Sequence, residues 1–193
     1  MVIVGGGRRG VGRMVAAACV GGLLLGAAGC TAAPKPAPPT PTPTITPIFA
    51  SDEEALAAAT EAYANYVSTY DASWADGDGS MSDYLALTVG EAHANDERSF
   101  GEWTSKNWRP VGTTSFDSVQ LQSVSQTDSG AWQIRAYLCL DASDGDVVDA
   151  SGISIARADR PMRVPLEVAF VTESPTSDVL RISESNVWSG KTC

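Results

Sequence analysis

Histidine is almost absent from this sequence: among 193 residues there is one, His93. A histidine-based zinc centre needs several imidazole ligands, so that class of metal site is excluded. The nucleophile motif G-x-S-x-G is also absent, and the stretch EAHANDER around His93 contains no serine or cysteine nucleophile motif. The sequence therefore predicts no cofactor and carries no signature of nucleophilic catalysis.

Basic residues are also few: 13 Lys and Arg stand against 23 Asp and Glu, which gives a formal net charge of −10. A surface of this sign repels phosphate backbones and anionic lipid headgroups. We therefore expect no nucleic-acid partner. Any attachment to a membrane must come from something other than a basic patch.

Two acidic stretches resemble calcium loops but do not meet the requirements of such a loop. In a loop that starts at Asp141, Gly145 occupies a position that needs a side-chain oxygen. In a loop that starts at Asp76, Met81 occupies the position that demands glycine. A solvated hairpin explains the first stretch, and we expect no metal site.

One long apolar run is present, from Met14 to Gly29, and it follows a glycine-rich stretch. There, Gly5, Gly7 and Gly10 match the spacing G-x-G-x-x-G of a dinucleotide-binding loop. The first carboxylate after them is Asp52, and the interval is apolar and then proline-rich, so the βαβ unit that the motif requires is missing. The motif therefore predicts no dinucleotide site.

The first 29 residues have the layout of an export signal. A positive segment with Arg8, Arg9 and Arg13 precedes the apolar run, and small residues lead into Cys30. The run is too short and too rich in glycine for a membrane span, which needs about 20 apolar residues. We therefore predict a signal peptide over residues 1–29 that is removed on export.

The residues Ala27-Ala28-Gly29-Cys30 resemble the lipobox of bacterial lipoproteins. In that family the cysteine thiol carries a diacylglycerol and becomes the first residue of the mature chain. The resemblance implies that Cys30 anchors the protein to the extracytoplasmic face of the plasma membrane. Ala27 departs from the Leu that the family usually has at that position. A cleaved signal without lipid and an uncleaved anchor stay open as alternatives.

Residues 30–48 are rich in proline and threonine and carry almost no charge. Proline fixes φ and removes backbone donors, so such a run stays extended. At about 3.1 Å per residue in the polyproline form, it reaches on the order of 50 Å. We interpret it as a tether that holds a folded domain, residues 49–193, away from the membrane.

Two of the four cysteines remain for this domain. Cys19 lies in the predicted signal and Cys30 at the acylation site, which leaves Cys139 and Cys193. An even pair in an exported domain is most simply a disulfide, which would join the end of the chain to a strand. Two free thiols or a metal pair are the alternatives, and no nearby histidine supports a metal pair.

Helical patterns come first in the domain. Ser51 and the acidic residues after it predict the start of a helix. Five large side chains recur along one stripe of it: Leu56, Tyr63, Val67, Tyr70 and Trp74. Gly77 and Gly79 predict its end, and shorter helices are predicted across residues 81–89 and 91–106, before Pro110 and Gly112.

Beyond residue 113 the hydrophobic period changes to two. Strands are predicted over residues 116–125, 131–143, 146–155, 161–171 and 179–188. In the second of these, Ile134, Ala136 and Leu138 share one face. Strands in succession predict an antiparallel meander, and helices in front of a meander predict an α+β fold.

Helices followed by a long antiparallel sheet make residues 49–193 resemble the NTF2-like superfamily, and most of all the small NTF2-like lipoproteins of actinobacteria. The resemblance lies in the layout, with Tyr63, Tyr66, Tyr70 and Trp74 on the first helix and a terminal cysteine able to reach a central strand. It implies that the N-terminal helices pack on a curved antiparallel sheet, which forms a cone with a pocket at its open end. A cystatin-like arrangement or a small β-sandwich stays open.

Aromatic residues and the histidine supply the candidate site. The predicted pocket lining is Tyr63, Tyr66, Tyr70, Trp103 and His93. Packing within the core is the alternative explanation of these rings. In NTF2-like enzymes a histidine paired with a carboxylate often acts as general base, so the resemblance implies that role for His93 with Asp83 or Asp96. A solvent-facing helix histidine is the alternative.

Two functions follow from these features. The first is a membrane-anchored, extracytoplasmic lipoprotein without catalytic activity, which binds a small apolar ligand or an envelope protein. The second is an NTF2-like enzyme with His93 or a pocket carboxylate as general base. They differ in what they require of His93, since a histidine base must face the interior of the cone.

Overall fold

The computed structural model describes residues 47–75 and 81–193. The predicted signal peptide, the acylation site Cys30 and most of the tether lie outside the described residues, as do Gly77 and Gly79. Within the described ranges, no helix is both long and apolar enough to cross a membrane.

In the part of the chain that the structure describes, three helices precede the strands: α1 (Asp52–Ala75), α2 (Ser82–Leu85) and α3 (Gly90–Ser105). The start of α1 is capped in both directions. The Glu54 amide donates to Ser51 Oγ at 3.3 Å, and the Glu54 carboxylate accepts from the Ala50 amide at 2.7 Å. The sequence therefore predicted this boundary correctly from its capping residues.

The predicted helix over residues 81–89 is shorter in the structure, which is a correction. Only Ser82–Leu85 is helical. The next residues pair with a strand instead: Val89 N–H donates to the carbonyl of Ile182 at 2.8 Å, and Ile182 N–H donates to the carbonyl of Leu87 at 3.0 Å. Long-range backbone hydrogen bonds thus replace the last turn that the local pattern predicted.

Six strands follow: β1 (Arg109–Gly112), β2 (Ser115–Gln126), β3 (Trp132–Asp141), β4 (Gly145–Val148), β5 (Arg163–Thr172) and β6 (Leu180–Val187). The main sheet is antiparallel in the order β2-β3-β5-β6, and β1 pairs with β4 in a separate two-stranded sheet. The predicted strand over residues 146–155 is therefore not part of the meander. Register shifts in β2 and between β5 and β6 mark irregularities that bend such a sheet.

Strand β1 was not predicted, because proline and glycine, as at Pro110 and Gly112, usually end a helix or a strand. Gly112 has φ +84°, and a Cβ there would collide with the carbonyl oxygen of Asp144. Glycine is therefore required at this position by the close approach of the β3–β4 turn.

The core lies between α1 and one face of the main sheet. Its fully buried members include Ala55 and Ala59 from α1, Ile134 from β3, and Val168 and Phe170 from β5. The shared face predicted for β3 is confirmed, because Ile134, Ala136 and Leu138 are all buried. In β5 the alternation is interrupted, because Ala169 is buried as well as its neighbours Val168 and Phe170. On α1 the buried stripe runs through the two alanines rather than through Leu56, which is half-buried. The predicted α+β class, with N-terminal helices packed on an antiparallel sheet, is confirmed, so a β-sandwich is not formed.

The structure joins Cys139 to Cys193 in a disulfide, with the two Cα atoms 5.7 Å apart. Cys139 lies in the second strand of the main sheet, and Cys193 is the last residue. The predicted pair is therefore supported, and the bond connects the end of the chain to the sheet.

Candidate functional site

A cavity of about 420 Å³ lies among α1, α2, α3, the β1–β4 pair and the main sheet. Seven aromatic rings belong to its lining: Tyr63, Tyr66, Tyr70, Trp74, Tyr84, Phe100 and Trp103. Concave, mostly apolar sites with a few polar groups are where small molecules bind. Of the predicted lining residues, Tyr63, Tyr66, Tyr70 and Trp103 line this cavity.

The rings come from three helices and contact one another. Tyr84 of α2 lies against Tyr66 and Tyr70 of α1, with ring centroids 5.0 and 5.2 Å apart. Trp74 of α1 lies 5.4 Å from Phe100 and 6.1 Å from Trp103, both on α3. Aromatic pairs at such distances stabilise each other, so the wall is held by packing before any ligand arrives.

A hydrogen-bonded group of two phenols and a carboxylate interrupts this apolar wall. The hydroxyls of Tyr66 and Tyr84 are 2.6 Å apart, and Tyr66 also donates to Asp96 Oδ1 at 3.2 Å. Burial raises the pKa of Asp96, while hydrogen bonds from the Tyr84 and Tyr66 hydroxyls act in the opposite direction. Burial also raises the pKa of Tyr66 and of Tyr84, so both phenols stay protonated and available as donors.

A second carboxylate, Asp71, lines the same cavity. It accepts a hydrogen bond from the Thr114 amide at 3.0 Å, and burial raises its pKa. The sequence contains a signal for this residue. Asp71 lies four residues after Val67 and three before Trp74, which places it beside two members of the predicted stripe.

One cation of the described residues belongs to the lining: Arg160, in the segment between β4 and β5. The Arg160 guanidinium donates to the carbonyl oxygen of Gly145 at 2.5 Å and lies 3.7 Å from Asp146 Oδ1. Its charge is therefore already opposed by Asp146, and its position was not predicted from the sequence.

The prediction that His93 lines the pocket is corrected, because His93 is not among the residues that line the cavity. Its Nδ1 lies 3.0 Å from the carbonyl oxygen of Leu85, and its Nε2 lies 3.5 Å from Glu97 Oε1. The His93 ring therefore links the first turn of α3 to Leu85, the last residue of α2. The suggested partner Asp83 is exposed and also does not line the cavity, whereas Asp96 does. The histidine-based general base is not supported by this geometry.

Two further aromatic residues lie elsewhere. Tyr137 stacks on Trp188 with ring centroids 3.9 Å apart, and its hydroxyl accepts from Gln122 Nε2 at 2.5 Å. These contacts lie beside Cys139 on the other face of the sheet from the core. The period of two in β3 places Tyr137 and Arg135 on the face of the sheet opposite to Ile134, Ala136 and Leu138.

No protein-family model matches the sequence, and no curated protein matches it. Several solved structures are similar in backbone. One is the intermembrane space region of the chloroplast protein ARC6, with 11% identity, a TM-score of 0.46, and coverage of 68% of this chain and 95% of that chain. A periplasmic fragment of TraM has 15% identity, a TM-score of 0.43, and coverage of 70% and 95%. Aln2 from a Streptomyces species has 18% identity, a TM-score of 0.37, and coverage of 71% and 92%. At these values the similarities carry no argument about what this chain does.

Replacing Asp96 by Asn is expected to raise the free energy of unfolding at neutral pH. Burial holds the folded-state pKa of Asp96 above its unfolded value, so the folded chain binds that proton more tightly than the unfolded chain. The resulting penalty is absent below the unfolded pKa and grows as the pH rises through the folded pKa. Urea unfolding of both proteins from about pH 4 to about pH 8 measures this difference.

The matched control is Asp83→Asn, which removes the same charge from an exposed position one helix away. We expect the gain from Asp96→Asn to be small at acid pH and larger at neutral pH, and the control to show no such trend. A loss of stability from Asp96→Asn that is the same at every pH would contradict this account of Asp96.

Proposed function

We propose that this protein is a lipoprotein attached through Cys30 to the extracytoplasmic face of the plasma membrane, and that its domain binds a small, largely apolar ligand. The observation that carries the proposal is the cavity of about 420 Å³, whose lining is aromatic and aliphatic apart from a few hydrogen-bonding groups. Rings supply contact area for an apolar body, while Tyr66 and Asp96 can orient one polar group of it.

The anchor and the compartment rest on three features. The sequence before Cys30 has the order of an export signal followed by a lipobox-like segment. A disulfide in the domain suits an oxidising compartment outside the cytoplasm. The negative charge of the chain disfavours adhesion to anionic lipid through a basic patch, and attachment through acyl chains needs no such patch.

A change of Cys30 to Ala is expected to release the protein from the membrane fraction. Two or more acyl chains bind stably to a bilayer, whereas the acidic domain gives no attachment of its own. Immunoblots of membrane and soluble fractions measure the shift. If the variant sediments with the membranes as the wild type does, the anchor at Cys30 is wrong, and an uncleaved hydrophobic segment replaces it.

Filling the cavity is expected to abolish binding of a neutral apolar dye such as Nile red. Ser99 of α3 lines the cavity and is exposed at its edge, so Ser99→Trp places an indole in the space that a ligand would use. We expect the affinity to fall at least about tenfold, which is roughly 1.4 kcal/mol. Fluorescence titration measures it.

The matched control is Ala94→Trp, because Ala94 is exposed on the same helix and is not among the lining residues. The control is expected to bind the dye as the wild type does. Equal binding by both tryptophan variants, or none by the wild type, would contradict a binding function for the cavity.

An enzyme that uses a pocket carboxylate as general base is the second candidate. The observation that favours it is Asp96, whose pKa is raised by burial and which lies against two phenols in the cavity. A raised pKa brings a carboxylate closer to the range that suits a general base. A ligand that co-purifies with the protein and keeps its mass after prolonged incubation with the wild type would exclude this candidate.

A further inference from the structure

The described lining of the cavity contains more carboxylates than cations. Among the described residues, three carboxylates belong to its lining, Asp71, Asp96 and Asp146, against one guanidinium, Arg160. Arg160 is the ion-pair partner of Asp146 and is further held by the Gly145 carbonyl. The negative charge that remains belongs to Asp71 and Asp96, both in the wall formed by the helices.

Neither of these two carboxylates has a lysine or arginine partner among the described residues. Asp96 accepts from the Tyr66 hydroxyl, and Asp71 accepts from the Thr114 amide. Both donors are neutral. His93 acts on Asp96 through its charge when protonated, but its ring nitrogens face the Leu85 carbonyl and Glu97. Both carboxylates are half-buried. A partly desolvated carboxylate without a cation carries a free-energy cost, and a bound cation relieves that cost.

The two carboxylates act on the same aromatic ring. Burial first, and then the charges of Asp71 and Asp96, raise the pKa of Tyr70. Tyr70 therefore lies within the field of both, and Tyr84 and Trp74 pack against it with ring centroids 5.2 and 6.4 Å away. A space bordered by ring faces and carboxylates attracts a positive charge through both kinds of group.

We propose that the ligand of this cavity is an organic cation, an amine or a quaternary ammonium group carried on an apolar body. The charged group would lie on the helix wall near Asp71 and Asp96, with Tyr70 and Trp74 facing it. The volume of about 420 Å³ exceeds what an ammonium group fills, so the remaining space takes the apolar part of the molecule. This inference rests on the proposed binding function and narrows it to one class of ligand.

An anionic ligand fits this cavity less well. The one guanidinium of the lining is engaged by Asp146 and by a backbone carbonyl, and an incoming anion would meet Asp71 and Asp96 unneutralised. A neutral ligand would leave both carboxylates as they are. Of the three kinds of ligand, only a cation offsets the desolvation cost of the carboxylates of Asp71 and Asp96.

The test compares two probes of the same shape and different charge: benzyltrimethylammonium and its neutral isostere neopentylbenzene. Isothermal titration calorimetry on the wild-type domain is expected to give at least about tenfold tighter binding of the cation. Asp96→Asn and Asp71→Asn are each expected to weaken binding of the cation by about tenfold and to abolish its advantage over the neutral probe.

Two controls separate the cavity from the acidic surface. Asp83→Asn removes an exposed charge outside the cavity and is expected to leave both affinities unchanged. Ser99→Trp, which fills the cavity, is expected to abolish binding of both probes. Thermal unfolding of each variant confirms that it is folded before the titrations are compared.

Equal affinities for the two probes, or binding of the cation that survives both carboxylate changes, would overturn the cation proposal and leave the cavity as a binding site. Binding of Nile red without binding of either probe would overturn it in the same way. If the wild type binds neither the probes nor Nile red, the proposed binding function fails as well.

Discussion

Replacing Cys193 by Ser is expected to lower the free energy of unfolding by about 4 kcal/mol, because the disulfide closes a long loop in the unfolded chain. The two cysteines are separated by 54 positions, and the segment between them contains β4, β5 and β6. Cys193 is exposed, so the serine hydroxyl itself costs little there. Changing Cys139 would be a less clean experiment, since that residue is buried in β3 and a hydroxyl would be buried with it.

Urea unfolding under oxidising conditions measures the loss, and the control is the wild type in the presence of a reductant. Reduced wild type and the Cys193→Ser variant are expected to unfold at the same urea concentration. Equal stability of the oxidised wild type and the variant would show that the bond does not stabilise the domain.

Replacing Phe170 by Ala is expected to cost about 4 kcal/mol, which is typical of removing a buried phenyl ring from a core. Phe170 is 1% exposed and lies in β5, with Ile134 and Ile182 as its partners on the neighbouring strands. Its ring centroid lies 6.5 Å from that of Tyr63, which also lines the cavity. Removing the Phe170 ring would therefore leave a cavity between α1 and the sheet, and the small side chains of Ala55 and Ala59 cannot fill it.

The control for this change is Val179→Ala, which trims a side chain that is 54% exposed just before β6. Surface changes of this kind stay within about 0.5 kcal/mol. Chemical denaturation of both variants measures the difference. A cost for Phe170→Ala as small as that of the control would contradict the placement of the core between α1 and the main sheet.

The class of the fold could be predicted because local patterns and tertiary packing agree in most of the domain. Strand β3 alternates between buried and half-buried side chains from Ile134 to Leu138, and α1 begins after a capping serine that is followed by acidic residues. Where they disagree, the tertiary contact decides. Residues Leu87 to Val89 leave a helical pattern because the backbone of Ile182 bonds to them.

The candidate site was predicted in four of its rings and in the carboxylate of Asp96, but not in Asp71 or Arg160. Aromatic residues at helical spacing point to one face, so Tyr63, Tyr66 and Tyr70 were found from the sequence. Asp71 and Arg160 were missed because tertiary structure brings each of them to the cavity. Strand β1 pairs with the distant strand β4, with Arg109 opposite Val148 and Gly112 opposite Gly145. His93 was misplaced because residue type suggested catalysis, while its position is fixed by the turn between α2 and α3.

Native mass spectrometry on the full-length protein, extracted gently from the membranes of the cells that produce it, tests the central claim most directly. The account predicts a mature chain that begins at Cys30 and carries acyl groups, with a bound small molecule that is present in the wild type and in Ala94→Trp but absent in Ser99→Trp. An unlipidated chain, or a bound molecule whose occupancy does not change when the cavity is filled, would contradict it.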